Sequence, residues 1–232
     1  MAGAALAAQT ACNSNFGLPD SGTEQAEHTT DLWRLYFLIA LGIGALVWLL
    51  IIWSVVRYRR RSDAMPKQTM FNIPLEIVYT VVPLVIVGFL FVATLQTLNQ
   101  VSALADEPDL TVEVTGFQWQ WRFVYPERNI DTIGQTDDPA ELVLPEQATV
   151  RIELTSADVI HSFWVPEFMI KRDAIPGQPN AFDMAVTDAG FYDSGRCVEY
   201  CGLNHDQMSF NVRVLPQAEF ETWAADNRAG TP

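Results

Sequence analysis

Histidine is scarce in this sequence, with three in 232 residues at His28, His161 and His205. That excludes a large catalytic metalloprotein whose centres are built mainly from imidazole. Cysteine is as sparse, at Cys12, Cys197 and Cys201. No C-x-x-C-H segment occurs, so no c-type haem is covalently attached to this chain. Basic residues are outnumbered, 14 Lys and Arg against 28 Asp and Glu, giving a net charge of −14. This balance argues against nucleic acid and for a basic protein partner. Internal repeats and low-complexity tracts are lacking as well.

Charge is missing altogether from two stretches. Residues 35–56 and 77–98 are runs of 22 without Asp, Glu, Lys or Arg. A helix of about 20 apolar residues crosses the hydrocarbon core of a bilayer. Both runs therefore predict transmembrane helices, over about 31–57 and 74–100. Trp33 and Tyr36 mark one interface of the first helix, and Trp53 and Tyr58 the other. Arg57, Arg59, Arg60, Arg61 and Lys67 crowd into the loop between the two spans, which the positive-inside rule places in the cytoplasm. The same basic stripe suits anionic lipid head groups. The expectation is an integral protein of a bacterial plasma membrane with two spans and both termini outside.

Ahead of the hairpin, residues 1–11 resemble the end of a signal peptide without its basic region. Cys12 follows small residues, as a lipidated cysteine does, although Gln9 departs from that pattern; a plain free cysteine is the alternative. Residues 13–30 are polar and read as a flexible tail. The expected organisation is thus 1–30 as a signal-like flexible segment, 31–100 as the helical hairpin and 101–232 as an extracytoplasmic domain. The last holds 22 acids against eight bases and so carries the whole net charge. It alternates short β-rich runs (110–117, 119–125, 141–144, 149–154, 181–187 and 210–215) with Pro and Gly turns, as an all-β sandwich or barrel does. Residues 217–227 predict a short closing helix.

The chemistry concentrates in Cys197-Val-Glu-Tyr-Cys201-Gly-Leu-Asn-His205-Asp-Gln-Met208. Two thiols, an imidazole and a thioether within one short segment are soft and borderline donors that suit copper. His161 lies upstream, and loops distant in sequence can meet at one end of a sandwich. A Cys197–Cys201 disulfide is plausible outside the cell, but leaves His205 and Met208 without a role. Zinc seldom takes a Met ligand. A single blue copper needs one cysteine fewer. Two cysteines can instead bridge two coppers, each with one histidine, and Met208 and a carbonyl as weak ligands. His28 has no partner motif and reads as a surface residue.

These residues resemble cytochrome c oxidase subunit II. The motif C-x-E-x-C-x-x-x-H-x-x-M is complete, and Thr155-Ser-Ala-Asp-Val-Ile-His161-Ser-Phe, Lys171-Arg-Asp-Ala-Ile-Pro-Gly177 and Gly116-Phe-Gln-Trp119-Gln-Trp121 also match. Phe163, Trp164 and Gln120 differ from the commoner family residues. The resemblance implies an α+β membrane protein: a two-helix transmembrane hairpin, then a cupredoxin-like domain with a binuclear CuA centre. It implies that Cys197 and Cys201 bridge the coppers, that His161 and His205 each ligate one, and that Met208 and the Glu199 carbonyl complete the spheres. The Glu199 carboxylate would hold a magnesium or manganese ion shared with subunit I. Trp119 corresponds to the exposed aromatic that takes electrons from cytochrome c, while Trp121 reads better as core. Leu75-Glu76-Ile-Val-Tyr79-Thr80-Val-Val-Pro83 resembles E-x-x-W-T-x-x-P with Tyr for Trp, which makes Glu76 a proton-channel entrance; an interfacial anchor is the plainer reading. Implied partners are subunit I, other oxidase subunits, cytochrome c and the bilayer. The implied function is to accept electrons at CuA and pass them to haem in subunit I, where oxygen becomes water and protons are pumped. A quinol oxidase subunit II lacks the copper ligands, a nitrous-oxide reductase is longer and richer in histidine, and a copper-delivery protein does not need this full ligand set.

Overall fold

The computed structural model describes residues 15–63, 65, 68–135 and 138–228. The signal-like stretch, Cys12 and Lys67 lie outside the described residues.

Helix α1 spans Glu24–Arg57 and α2 spans Ile73–Ser102. Thr23 caps α1, its hydroxyl accepting from the Ala26 N–H, and Glu24 and Glu27 face the positive end of the helix dipole. Asn72 caps α2 in the same way through the Leu75 N–H, and the first turn contains a proline, which has no N–H to satisfy. The 34 residues of α1 reach about 50 Å at 1.5 Å each, well beyond a hydrocarbon core of ~30 Å. The pair is tied by Tyr36, whose hydroxyl lies 2.6 Å from Thr94 Oγ1 and 3.1 Å from the Leu90 carbonyl. Both helices are apolar and long enough to cross a membrane, and both leave their hydrophobic windows exposed.

Residues 15–30, expected to be a flexible tail, are ordered. α1 begins at Glu24 rather than at Asp31, because the Thr23 cap and the two acids start a helix ahead of the apolar run. Ala26 and Thr30 are buried, and Phe16 stacks on Phe37 with ring centroids 4.3 Å apart. Thr23 forms a bridge with Val186, Gly22 N–H donates to Glu167 O (3.0 Å), and Ala185 N–H donates to Gln25 Oε1 (3.0 Å). This strap binds the start of α1 to the domain that follows.

That domain is a sandwich of two five-stranded sheets. One has the order β3-β2-β1-β5-β8, from Ile130–Ile133, Gln120–Tyr125, Leu110–Phe117, Ala148–Ser156 and Asn180–Val186. The other has the order β4-β10-β9-β6-β7, from Ala140–Pro145, Ser209–Leu215, Gly190–Cys197, His161–Val165 and Ile170–Ala174. Helix α3, Gln217–Asp226, closes the chain and buries Phe220 and Ala224. β1 and β10 alternate buried and half-exposed positions, the period-2 pattern of a strand with one face in a core. Between the sheets, Trp121 meets Phe163 edge-on at 5.8 Å and Phe163 stacks on Phe210 at 4.7 Å. The Tyr125 hydroxyl crosses the sandwich, donating to Val143 O (3.0 Å) and accepting from Val143 N–H (2.9 Å).

Where the chain leaves α2, a second attachment forms. Arg151 on β5 pairs with Asp183 on β8 (Nε–Oδ1 2.8 Å), and both hold Ala105: Asp183 Oδ2 accepts its N–H and Arg151 donates to its carbonyl, each at 2.6 Å. Asp183 is buried, so these partners compensate a carboxylate that would otherwise be costly to desolvate.

Candidate metal centre

One end of the sandwich gathers the conspicuous side chains. β6 begins at His161 and its antiparallel neighbour β9 ends at Cys197, with Phe163 opposite Cys197, so the two donors emerge together. The chain then loops through Glu199 and Cys201, makes a 3-10 turn over His205–Gln207, and returns as β10 just after Met208. Cys197 N–H donates to Met208 O (2.9 Å), which closes the loop at its base.

The donors converge. Cys197 Sγ and Cys201 Sγ are 3.9 Å apart, far beyond the ~2.05 Å of a disulfide. Cys197 Sγ lies 3.9 Å from His161 Nδ1 and 3.3 Å from Glu199 O. Cys201 Sγ lies 3.6 Å from His205 Nδ1 and 3.8 Å from Met208 Sδ. The His161, Cys197 and Cys201 donor atoms fall within 4.8 Å of one another, and all three residues are buried. Two sulfurs side by side, each flanked by an imidazole nitrogen and a weak ligand, form a donor set that fits copper.

The polar surroundings orient these donors. His161 turns Nε2 to Asp158 Oδ1 at 2.8 Å, which leaves Nδ1 facing the sulfur. The same Asp158 carboxylate accepts from the Gln118 and Val159 N–H groups at 2.7 and 2.6 Å. Burial pulls the His161 pKa down, but the contacts with Cys197 and Asp158 outweigh it and the net shift is upward. Burial raises the Cys197 thiol, yet His161 and nearby backbone groups bring it down to about 7. Burial and the neighbouring Cys197 push Cys201 up to about 12. One thiolate therefore forms readily and represses the second, a repression that a bound cation relieves.

Every expected copper ligand is thus brought together: His161, Cys197, Cys201, His205, Met208 and the Glu199 carbonyl. The Glu199 side chain is exposed. Trp119 is half-buried rather than exposed; its indole lies over Gly202, whose added Cβ would stand 3.3 Å from Cζ2 and Nε1. Gly202 has φ +122°, a conformation L side chains rarely adopt. Trp121 is fully buried and edge-on to His161, a core residue. Glu76 lies apart from the sulfurs at the start of α2, where its Oε1 accepts the Asn72 N–H at 2.9 Å. His28 is an exposed residue of α1. Sequence reasoning assigned no role at the centre to Gly116, Gln118 or Asp158. Gly116 makes room for His161, whose Cδ2 lies 3.1 Å from where a Cβ would stand. In the sequence it stands at the end of a β-rich run and at the head of the Gly116–Trp121 match, and neither points to His161.

Comparison with known proteins gives one answer along nearly the whole chain. Residues 132–215 match the family described as cytochrome C oxidase subunit II, periplasmic domain, and residues 11–97 match its transmembrane domain. The chain is similar to the probable cytochrome c oxidase subunit 2 of Streptomyces coelicolor, with 39% identity over 97% of this chain and 84% of that protein. The cytochrome c oxidase subunit 2 of Corynebacterium glutamicum shares 34% identity over 88% of this chain and 74% of its own length. Among solved structures, the periplasmic domain of subunit II of the cytochrome oxidase of Bradyrhizobium japonicum covers 53% of this chain and 96% of its own at 34% identity, with a TM-score of 0.49.

Proposed function

This chain belongs to the cytochrome c oxidase subunit II family, and on that premise we propose a binuclear copper centre that takes single electrons from a cytochrome c and hands them to the haem-bearing subunit. It is a membrane subunit of a haem-copper oxidase with a copper centre in its β domain. Cys197, Cys201, His161 and His205 would hold the two coppers, with Met208 Sδ and the Glu199 carbonyl as the weaker donors. Copper held there would supply one-electron redox chemistry. The chain's part is to hold six donors in place from two segments, keep water off the sulfurs and fix the imidazoles. The observation that carries this reading is the pair of buried, unbonded sulfurs at 3.9 Å, each with its own imidazole nitrogen.

Trp119, packed on the ligand loop, is the electron acceptor on the donor side. Its indole touches the segment that carries Cys201, which gives an electron a short route through packed atoms. The acidic β domain faces the cell exterior and steers a basic cytochrome, while the arginine-rich loop between α1 and α2 stays in the cytoplasm. The exposed Glu199 carboxylate would hold a magnesium or manganese ion together with the haem subunit. Glu76 admits protons to a channel from the cytoplasmic side, a role added to its cap of α2.

The test is electron paramagnetic resonance of the full-length chain, purified in detergent and loaded with copper. The expected spectrum shows one unpaired electron shared by two equivalent copper nuclei. A spectrum from a single copper nucleus, or zinc retained in preference to copper, overturns the reading.

A further inference from the structure

The turn between β1 and β2 brings more than Trp119 to the centre. The Gln118 side-chain amide donates from Nε2 to the Cys201 carbonyl at 2.7 Å. Its backbone N–H donates to Asp158 Oδ2 at 2.7 Å, and the other oxygen of that carboxylate holds His161 Nε2 at 2.8 Å. A continuous polar chain thus runs from one imidazole ligand, through Asp158 and Gln118, to the backbone of one sulfur ligand. The two ends belong to segments 40 residues apart, by the numbering of His161 and Cys201. Gln118 Nε2 also lies 3.2 Å from where a Cβ on Gly202 would stand, beside the Trp119 indole.

We propose that Gln118 is a positioning residue for electron uptake: its side-chain amide holds the Cys201–Gly202 stretch of the ligand loop against Trp119. The proposal rests on the reading that His161 and Cys201 are copper ligands and Trp119 the electron acceptor. Gln118 is exposed, and an exposed amide that only served solubility would turn to water. Here it turns inward, with its backbone already fixed by Asp158. Gly202 offers no side chain of its own to hold the loop, so the loop's placement depends on what grips its backbone. Outer partners of this kind set the orientation of the ligands they touch and thereby tune the metal.

The experiment compares wild-type full-length chain, copper-loaded in detergent, with Gln118→Met and Gln118→Glu. Met has similar length and cannot donate; ionised Glu cannot donate and adds a charge. Three readouts are taken: the copper resonance spectrum, the reduction potential and the rate of reduction by cytochrome c. Both variants are expected to shift the spectrum and potential in the same direction and to slow reduction by roughly tenfold. A folded variant that loses copper also supports the proposal, because the loop has then lost its hold. Gln118→Met with wild-type spectrum, potential and rate overturns it. So does a defect seen in Gln118→Glu alone, which assigns the residue to surface charge; this comparison stands even if one variant folds poorly, since the other still lacks the donor. If the wild-type chain takes up no copper pair, it is the underlying ligand assignment that has failed.

Discussion

Gly202→Ala separates the two demands placed on the ligand loop. The first is backbone conformation: at φ +122° a Cβ is disfavoured, and a residue held in such a region costs about 1–3 kcal/mol. The second is space: the new Cβ would stand 3.3 Å from Trp119 Cζ2 and Nε1 and 3.2 Å from Gln118 Nε2, so these groups must retreat by a few tenths of an ångström. The backbone cost falls on the closed loop and favours its opening, by about 5- to 150-fold for 1–3 kcal/mol. Copper removal through the opened loop should accelerate by that factor. The assay follows loss of the centre's visible absorption after a strong copper chelator is added to the full-length protein. Electron uptake in variant that still holds copper should slow but persist, because the indole moves only slightly. Gly17→Ala is the control: φ is +93° with nothing within 4 Å of the new Cβ, so it meets a similar backbone penalty in the strap before α1, away from the centre. It should release copper at the wild-type rate. Equal copper retention in Gly202→Ala and wild type would refute the argument, since the loop would then not be held at this conformation.

Two further outcomes follow from the site. In the assembled oxidase, Glu76→Ala should slow turnover while the copper centre is still reduced at the normal rate, and Glu76→Gln decides between roles. Gln can still accept the Asn72 N–H, so wild-type oxygen consumption in Glu76→Gln would leave only the cap. Reduction by a basic cytochrome c should weaken steeply as salt rises from 0.01 to 0.1 M, where the Debye length falls from roughly 30 to about 10 Å. Trp119→Ala should slow the transfer without changing that salt dependence. A rate indifferent to salt would mean that the net charge of −14 does not steer the donor, and an unimpaired Trp119→Ala would move the acceptor elsewhere.

The candidate donors were legible because five of them lie in one short segment whose atoms can converge on almost any loop, and only His161 had to come from afar. The supporting groups were not. Nothing in the composition sets Asp158 apart from the domain's other acids; in the structure it is engaged by His161, Gln118 and Val159. Asp173, opposite Ser162 in the β6–β7 pair, is likewise engaged, by Lys171. Such partnerships appear only when separate loops meet. The strands showed the same division. β1, β5 and β10 alternate apolar residues and were plain in the sequence. β9 carries two glycines among Asp193, Ser194 and Arg196, and β6 and β7 are split by the Pro166–Phe168 turn, so neither region presents a clean period. The start of α1 was hidden by composition: residues 15–30 are polar, and their order comes from contacts with a domain that lies far along the chain.

The strap and the linker also determine how the β domain is carried. Both seize the same edge strand, the strap at Val186 and the linker at Asp183 of β8, positions about 10 Å apart at ~3.3 Å per residue. Two fixings on one line leave a body free to swing about that line, as a door swings on its hinges. The bond from Gly22 to Glu167, and that from Thr23 Oγ1 to Phe168 O at 3.4 Å, tie the same strap to the turn between β6 and β7 of the other sheet, off the line of β8. The strap thus grips both sheets of the sandwich at once, which resists that swing. The β domain, and the sulfurs with it, is therefore tied to the start of α1 through both sheets and to the end of α2 through β5 and β8.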